Sequence, residues 1–150
     1  MKLKFFAVIA LVLSAAFFLT ACGGGGEEES SGPEAVTIEV TQNDNYFGTT
    51  PDNADNPPKW EVNAGGQVAV QLQNNGTTEH NWAVIKMDAT MPDTFDSEAN
   101  GDLILKETGL IPAGDSFRES FVAPTEPGEY LVICTVAGHY PSMQGRLVVQ

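Results

Sequence analysis

The sequence predicts an all-β fold, an antiparallel sandwich of about seven or eight short strands. Three observations predict it. No apolar repeat of helical period runs long enough to build a bundle. Short alternating runs rich in β-branched residues recur along the chain, separated by Gly, Pro and Asn. The chain has 150 residues, which suits one domain with one core. A sandwich of this kind buries alternate residues and leaves loops at both ends for function.

Each element follows from its local pattern. Residues 35–40 alternate and are β-branched, so they read as a strand. Residues 43–58 are rich in Asn, Asp, Pro and Gly and read as a loop. Residues 60–62 make a short strand before the turn at 63–66, and 68–72 make a longer one. Asn74-Asn75-Gly76 reads as a hairpin turn, followed by a strand at 81–86. Residues 90–102 are acidic, with room for a short helix, and 103–105 read as a strand. Residues 116–122 alternate well, 124–128 turn, 130–136 are strongly β, and 145–150 form a last strand. Trp60, Trp82 and Phe121 are expected in the core.

The first residues read differently. Lys2 and Lys4 precede an almost continuous apolar run, 5–18, too short for a usual transmembrane helix. Leu19-Thr20-Ala21-Cys22 follows and resembles the lipobox of bacterial lipoproteins. The expected organisation is a signal peptide at 1–21, a lipid-anchored flexible linker at 22–34 and a folded domain at 35–150. By that resemblance Cys22 becomes the mature N-terminus and carries lipid, which places the protein outside the cytoplasmic membrane or in the periplasm. The Gly- and Ser-rich linker, kept solvated by Glu27, Glu28 and Glu29, reaches roughly 20 Å.

Charge narrows the partners. The net charge is -13. Loss of Lys2 and Lys4 with the signal leaves 5 bases against 20 acids, or -15. Nucleic acid, which needs a basic footprint, is excluded, and direct docking on anionic headgroups is disfavoured. The expected state is a monomer.

The chemistry concentrates in few residues. The chain has two histidines, His80 and His139, and Cys134 is the one thiol of the expected domain. Cys134, His139 and Met143 are spaced C-x4-H-x3-M, and His80 lies far upstream. Two imidazoles, a thiolate and a weak thioether are the ligand set of a blue-copper electron-transfer site. Copper(I) favours sulfur and copper(II) accepts imidazole, so a mixed site rearranges little when one electron moves. Cys134 sits near the end of a buried strand, and one turn, shaped by Gly138 and Pro141, delivers His139 and Met143.

Residues 132–139, VICTVAGH, followed by 143–149, MQGRLVV, resemble the copper loop of the cupredoxin family. His80-Asn81-Trp82-Ala83-Val84 resembles the upstream ligand strand of its azurins and auracyanins. The resemblance implies a Greek-key sandwich and one type 1 copper held by His80, Cys134 and His139, with Met143 as a long axial ligand. It implies supporting roles for Glu79, Asn81 and Val136. Glu79 stands where azurins carry a glycine whose carbonyl approaches the metal. Asn81 N–H and Val136 N–H would point at the thiolate, and the Asn81 side chain would pin the copper loop. Ala137 stands where relatives often have proline.

Other readings of these residues exist. A buried Cys is often inert core, and Met143 alone would be packing. Zinc takes His and Cys, but thioether is a poor zinc ligand. A Cys–His nucleophile lacks an orienting acid and an oxyanion loop. A copper chaperone or store, the alternative function, would use exposed Met or Cys clusters. A copper enzyme would need further histidines. The expected function is therefore a membrane-tethered one-electron shuttle and not an enzyme. By resemblance its partners are redox proteins such as a c-type cytochrome or a membrane quinol-oxidising complex. Tyr140 and Pro141 are expected to form an apolar rim beside His139. The sequence leaves open whether the acidic segment 88–102 lies beside the copper end.

Overall fold

The computed structural model describes residues 35–51 and 55–150. The expected signal peptide, the linker and Cys22 lie outside the described residues. Among the described residues nine strands form in chain order: β1 Val36–Asn43, β2 Tyr46–Phe47, β3 Lys59–Val62, β4 Gln67–Asn74, β5 Ala83–Ile85, β6 Ile104–Glu107, β7 Ser116–Val122, β8 Gly128–Ile133 and β9 Gln144–Val149. A short helix, α1 Ser97–Asn100, precedes β6 through a 3-10 turn at Gly101–Leu103.

The strands make two sheets, ordered β2-β1-β4-β7 and β3-β9-β8-β5-β6. The all-β class holds, with one difference from the antiparallel expectation: β1 pairs with β4, and β3 with β9, in parallel. These parallel partners are far apart in sequence, so no hairpin constrains their direction. The Asn74-Asn75-Gly76 hairpin is also corrected. The partners of β4 are β1 and β7, and the chain after Asn74 crosses to the other sheet. Tyr46–Phe47, within the expected loop, is a two-residue strand that turns back on β1.

Alternation puts one face of each sheet into a shared core. Ile38 and Val40 face inward beside Val70 and Leu72, while Trp60 and Val62 lie beside Leu147 and Val149. Trp82 is fully buried, its ring centroid 6.1 Å from Trp60 and 5.7 Å from Phe121, which packs partly buried at the edge. Each fully buried Val, Leu or Phe contributes about 1.5–3 kcal/mol.

The second sheet is covered on its outer face too. Ala83, Ile85 and Ile133 form a smaller cluster with Phe95, which comes from the acidic segment. Hence all three residues of β5 are buried, Val84 inward and its neighbours outward.

Candidate metal centre

Six polar residues are buried among the described ones: Gln42, Asn74, His80, Asn81, Thr108 and Thr135. Buried polar groups are costly unless hydrogen-bonded, so the bonds they make mark where the fold is specified by more than packing.

His80 is delivered by the crossing after β4. Asn74 ends that strand, and its Nδ2 donates to the carbonyls of Thr78 and Ile111, both at 2.8 Å. His80 then exchanges backbone bonds with Ile111, N to O at 3.1 Å and back at 2.8 Å. Asn81 follows. Its Oδ1 accepts from Thr135 N at 2.8 Å, and its Nδ2 donates to Thr135 Oγ1 and Glu107 Oε1, both at 2.7 Å. Gln42 Nε2 donates to the Asn81 carbonyl at 3.0 Å. Asn81 thus ties the His80 segment to the residue after Cys134.

Cys134 is the first residue beyond β8 and is fully buried. The loop that follows closes on itself. His139 N donates to Val136 O at 3.1 Å, Met143 N to His139 O at 2.8 Å, and Cys134 N to Met143 O at 3.2 Å. Gly138 has φ +84°, a left-handed conformation that glycine adopts without strain. Met143 is fully buried in the same cluster as Cys134, while His139 is half-buried.

These constraints bring three donor atoms together across the sandwich. His80 Nδ1 lies 3.1 Å from His139 Nδ1, Cys134 Sγ lies 3.4 Å from His139 Nδ1, and 3.8 Å separate Sγ from His80 Nδ1. For a metal in the plane of three such donors, bond lengths of about 2.0–2.3 Å require edges of about 3.5–3.8 Å. The Cys134–His80 edge has that length, and the two edges that meet at His139 Nδ1 are shorter. The soft sulfur and two imidazole nitrogens suit copper in either oxidation state. The residues present therefore fit a copper ion.

Burial lowers the pKa of His80 and His139, so both imidazoles favour the neutral, ligating form. It raises the pKa of Cys134, opposed by backbone hydrogen bonds to the sulfur from Asn81 and Val136. A cation binding there would reverse that balance and hold the thiolate. Glu79 is exposed and lines a shallow cleft with Asn81, Glu107, Leu110 and Val136. Val136 and Tyr140 are half-buried and Ala137 and Pro141 exposed, so an apolar rim adjoins His139.

The acidic segment reaches this end of the molecule. Phe95 is buried against Ile133, one residue before Cys134, and Ser97 Oγ donates to Thr135 O at 3.5 Å. Burial pushes the Tyr140 phenol pKa up, with the charge of Arg146 opposing the rise and that of Asp93 adding to it.

Sequence reasoning missed Asp44. It lies in the β1–β2 turn, and its Oδ1 is 3.4 Å from His80 Nε2. Hydrogen bonds from Thr77 and Thr78 hold its pKa down at about 2. It reads locally as one more polar loop residue, 36 positions before His80, and carries no signal of its own. Thr135 and Glu107, which join the Asn81 network, were equally silent.

Comparison with known proteins agrees with this centre. Residues 52–150 match the model of the copper binding proteins, plastocyanin/azurin family. Auracyanin-A of Chloroflexus aurantiacus is 32% identical over 132 residues, covering 79% of this chain and 77% of its own. The solved structure of auracyanin A, a "blue" copper protein from that green thermophilic photosynthetic bacterium, is 28% identical with a TM-score of 0.56, covering 78% of this chain and all of its own. The structure of auracyanin B reaches a TM-score of 0.61 at 27% identity, over 77% of this chain and 89% of its own. With His80, Cys134, His139 and Met143 arranged as a copper site, the chain belongs to the plastocyanin/azurin family and is a blue-copper electron carrier rather than an enzyme.

Proposed function

We propose that this chain is a lipid-tethered type 1 copper protein that shuttles single electrons between redox complexes outside the cytoplasmic membrane. The observation that carries the reading is the triangle of two Nδ1 atoms and one Sγ, drawn from two separate segments. His80, Cys134 and His139 are the strong ligands and Met143 the weak axial one. Bound copper supplies a one-electron couple.

The chain's own residues do the rest. Asn81 and the closed loop from Cys134 to Met143 hold the donors in place, so little need move when the charge changes. The N–H groups of Asn81 and Val136 stabilise negative sulfur. Buried ligands exclude water, which suits electron transfer better than metal exchange and speaks against a chaperone or store. His139, half-buried beside the apolar rim, is the exit toward a partner. That partner is a c-type cytochrome or a membrane quinol-oxidising complex. Lipid on Cys22 supplies the tether; with two or more acyl chains the anchoring is stable, whereas one chain binds marginally.

Two measurements test the reading. Copper-loaded, oxidised protein is expected to be intensely coloured by thiolate-to-copper(II) charge transfer, and Cys134→Ser to lose the colour while staying folded. A colourless wild type sinks the type 1 assignment. Mass spectrometry of native protein should find residues 1–21 absent and acyl mass on Cys22. An unmodified, soluble protein starting elsewhere refutes the tether.

A further inference from the structure

We propose that Asp44 is a positioning residue for the copper centre. Its carboxylate holds the far nitrogen of His80 and lends negative charge that favours copper(II). The inference rests on the reading of His80 as a ligand.

His80 presents Nδ1 to Cys134 and His139, and its Nε2 points the other way. A neutral imidazole carries one N–H, so if Nδ1 gives its lone pair to a metal, Nε2 must be the donor. Asp44 Oδ1, at 3.4 Å, is placed to receive it, with Thr78 Oγ1 at 3.5 Å beside it. The ring of His80 is fully buried while the Asp44 side chain is 42% exposed, so an ionised acid at the surface reaches a buried ligand.

The carboxylate is held from the other side. Thr77 N and Thr77 Oγ1 donate to its two oxygens at 2.8 Å each, and Thr78 N and Oγ1 donate to Oδ1 at 3.3 Å. Four donors on one carboxylate fix its orientation toward the ring.

Gly76 adds an independent observation. A Cβ there would stand 2.6 Å from Asp44 Oδ1 and 2.7 Å from His80 Nε2. The absent side chain is therefore the space in which acid and imidazole meet. Asn74 Oδ1 accepts from Gly76 N at 2.8 Å and sets the backbone there.

Carboxylate support fixes a ligand's tautomer and ring plane and raises its basicity, and its loss commonly weakens metal binding by about 10–100-fold. Oxidised copper carries one more positive charge, so the acid stabilises it more than the reduced ion.

The test is Asp44→Asn, which keeps an acceptor oxygen for Thr77, Thr78 and His80 and removes the charge. The expected result is a loss of copper(II) affinity about tenfold greater than that of copper(I), read as a midpoint potential about 59 mV higher. In the copper(I) protein, the His80 Nε2–H proton resonance should also shift from its wild-type position. Gly76→Ala, with Asp44 intact, should raise the potential by driving the two groups apart, and it stands in if the Asn variant does not fold.

A blue Asp44→Asn protein with the wild-type potential and an unmoved Nε2–H signal overturns the proposal and leaves Asp44 as a tie of the loop. A wild type that binds copper without colour would instead overturn the ligand reading. The two failures are therefore distinct.

Discussion

Met143 differs from the other ligand candidates in what it can do. Its thioether is fully buried, and its backbone closes the loop on Cys134. Thioether is a weak donor that stabilises copper(II) modestly, and axial ligands tune the potential of such sites. Leu has nearly the same volume, so Met143→Leu should cost under about 1.5 kcal/mol in packing. The expected outcome is a protein that stays coloured, with a potential raised by about 59 mV for each tenfold loss of preference for copper(II). Voltammetry giving an unchanged or lower potential would show that Met143 is only packing.

Among the elements, the acidic segment between β5 and β6 forms a flap on the outer face of the second sheet, with Phe95 its one fully buried apolar side chain and Ser97 bonded to Thr135. Asp96 caps α1 through Oδ1, accepting from Glu98 N and Ala99 N at 2.9 Å each. The helix has four residues and none is buried, so capping alone does not hold it. Phe95 does, by packing on Ala83, Ile85 and Ile133. Phe95→Ala should destabilise by about 3–5 kcal/mol if the site stays closed, and by less if the flap lifts. Faster amide exchange across 93–103, with copper colour retained, is the expected signature. Unchanged exchange there would mean that other contacts fasten the flap.

At the scale of the whole molecule, charge and copper end meet. The described residues contain five bases: Lys59, Lys86, Lys106, Arg118 and Arg146. Lys59 and Arg146 are paired with Glu129, and Lys106 with Glu119. The flap is held beside Cys134 by Phe95 on Ile133 and Ser97 on Thr135, while Glu79 and Glu107 line the cleft beside Val136. A carrier must dock briefly, so its contact should be small, with charge steering approach more than supplying affinity. Electron transfer with a basic cytochrome should therefore slow as salt rises, since screening acts over about 8 Å at physiological ionic strength. Replacing Asp93 and Asp96 with Asn and Glu98 with Gln should flatten that dependence while the potential stays nearly unchanged; Asn at 96 keeps the helix cap. Stopped-flow rates decide it, and a wild type indifferent to salt removes the flap from docking.

The sequence by itself determined the β class, most strand positions and the C-x4-H-x3-M loop, because each is written within a few neighbouring residues. Alternation at 68–72 and 116–122 needs no tertiary context to be read, and a loop of ten residues brings its ends together through its own backbone bonds. Only the tertiary structure decided the parallel pairings β1–β4 and β3–β9, the crossing at Asn74, the flap's place beside Cys134 and the meeting of Asp44 with His80. These join residues far apart in the chain whose local preferences are compatible with several partners. Which partner wins is settled by burial: Ile38 and Val40 need the face that β4 offers, and Phe95 needs the outer face of β5 and β8. Once those faces close, Asp44 is carried to the ring of His80, a contact that neither local sequence encodes.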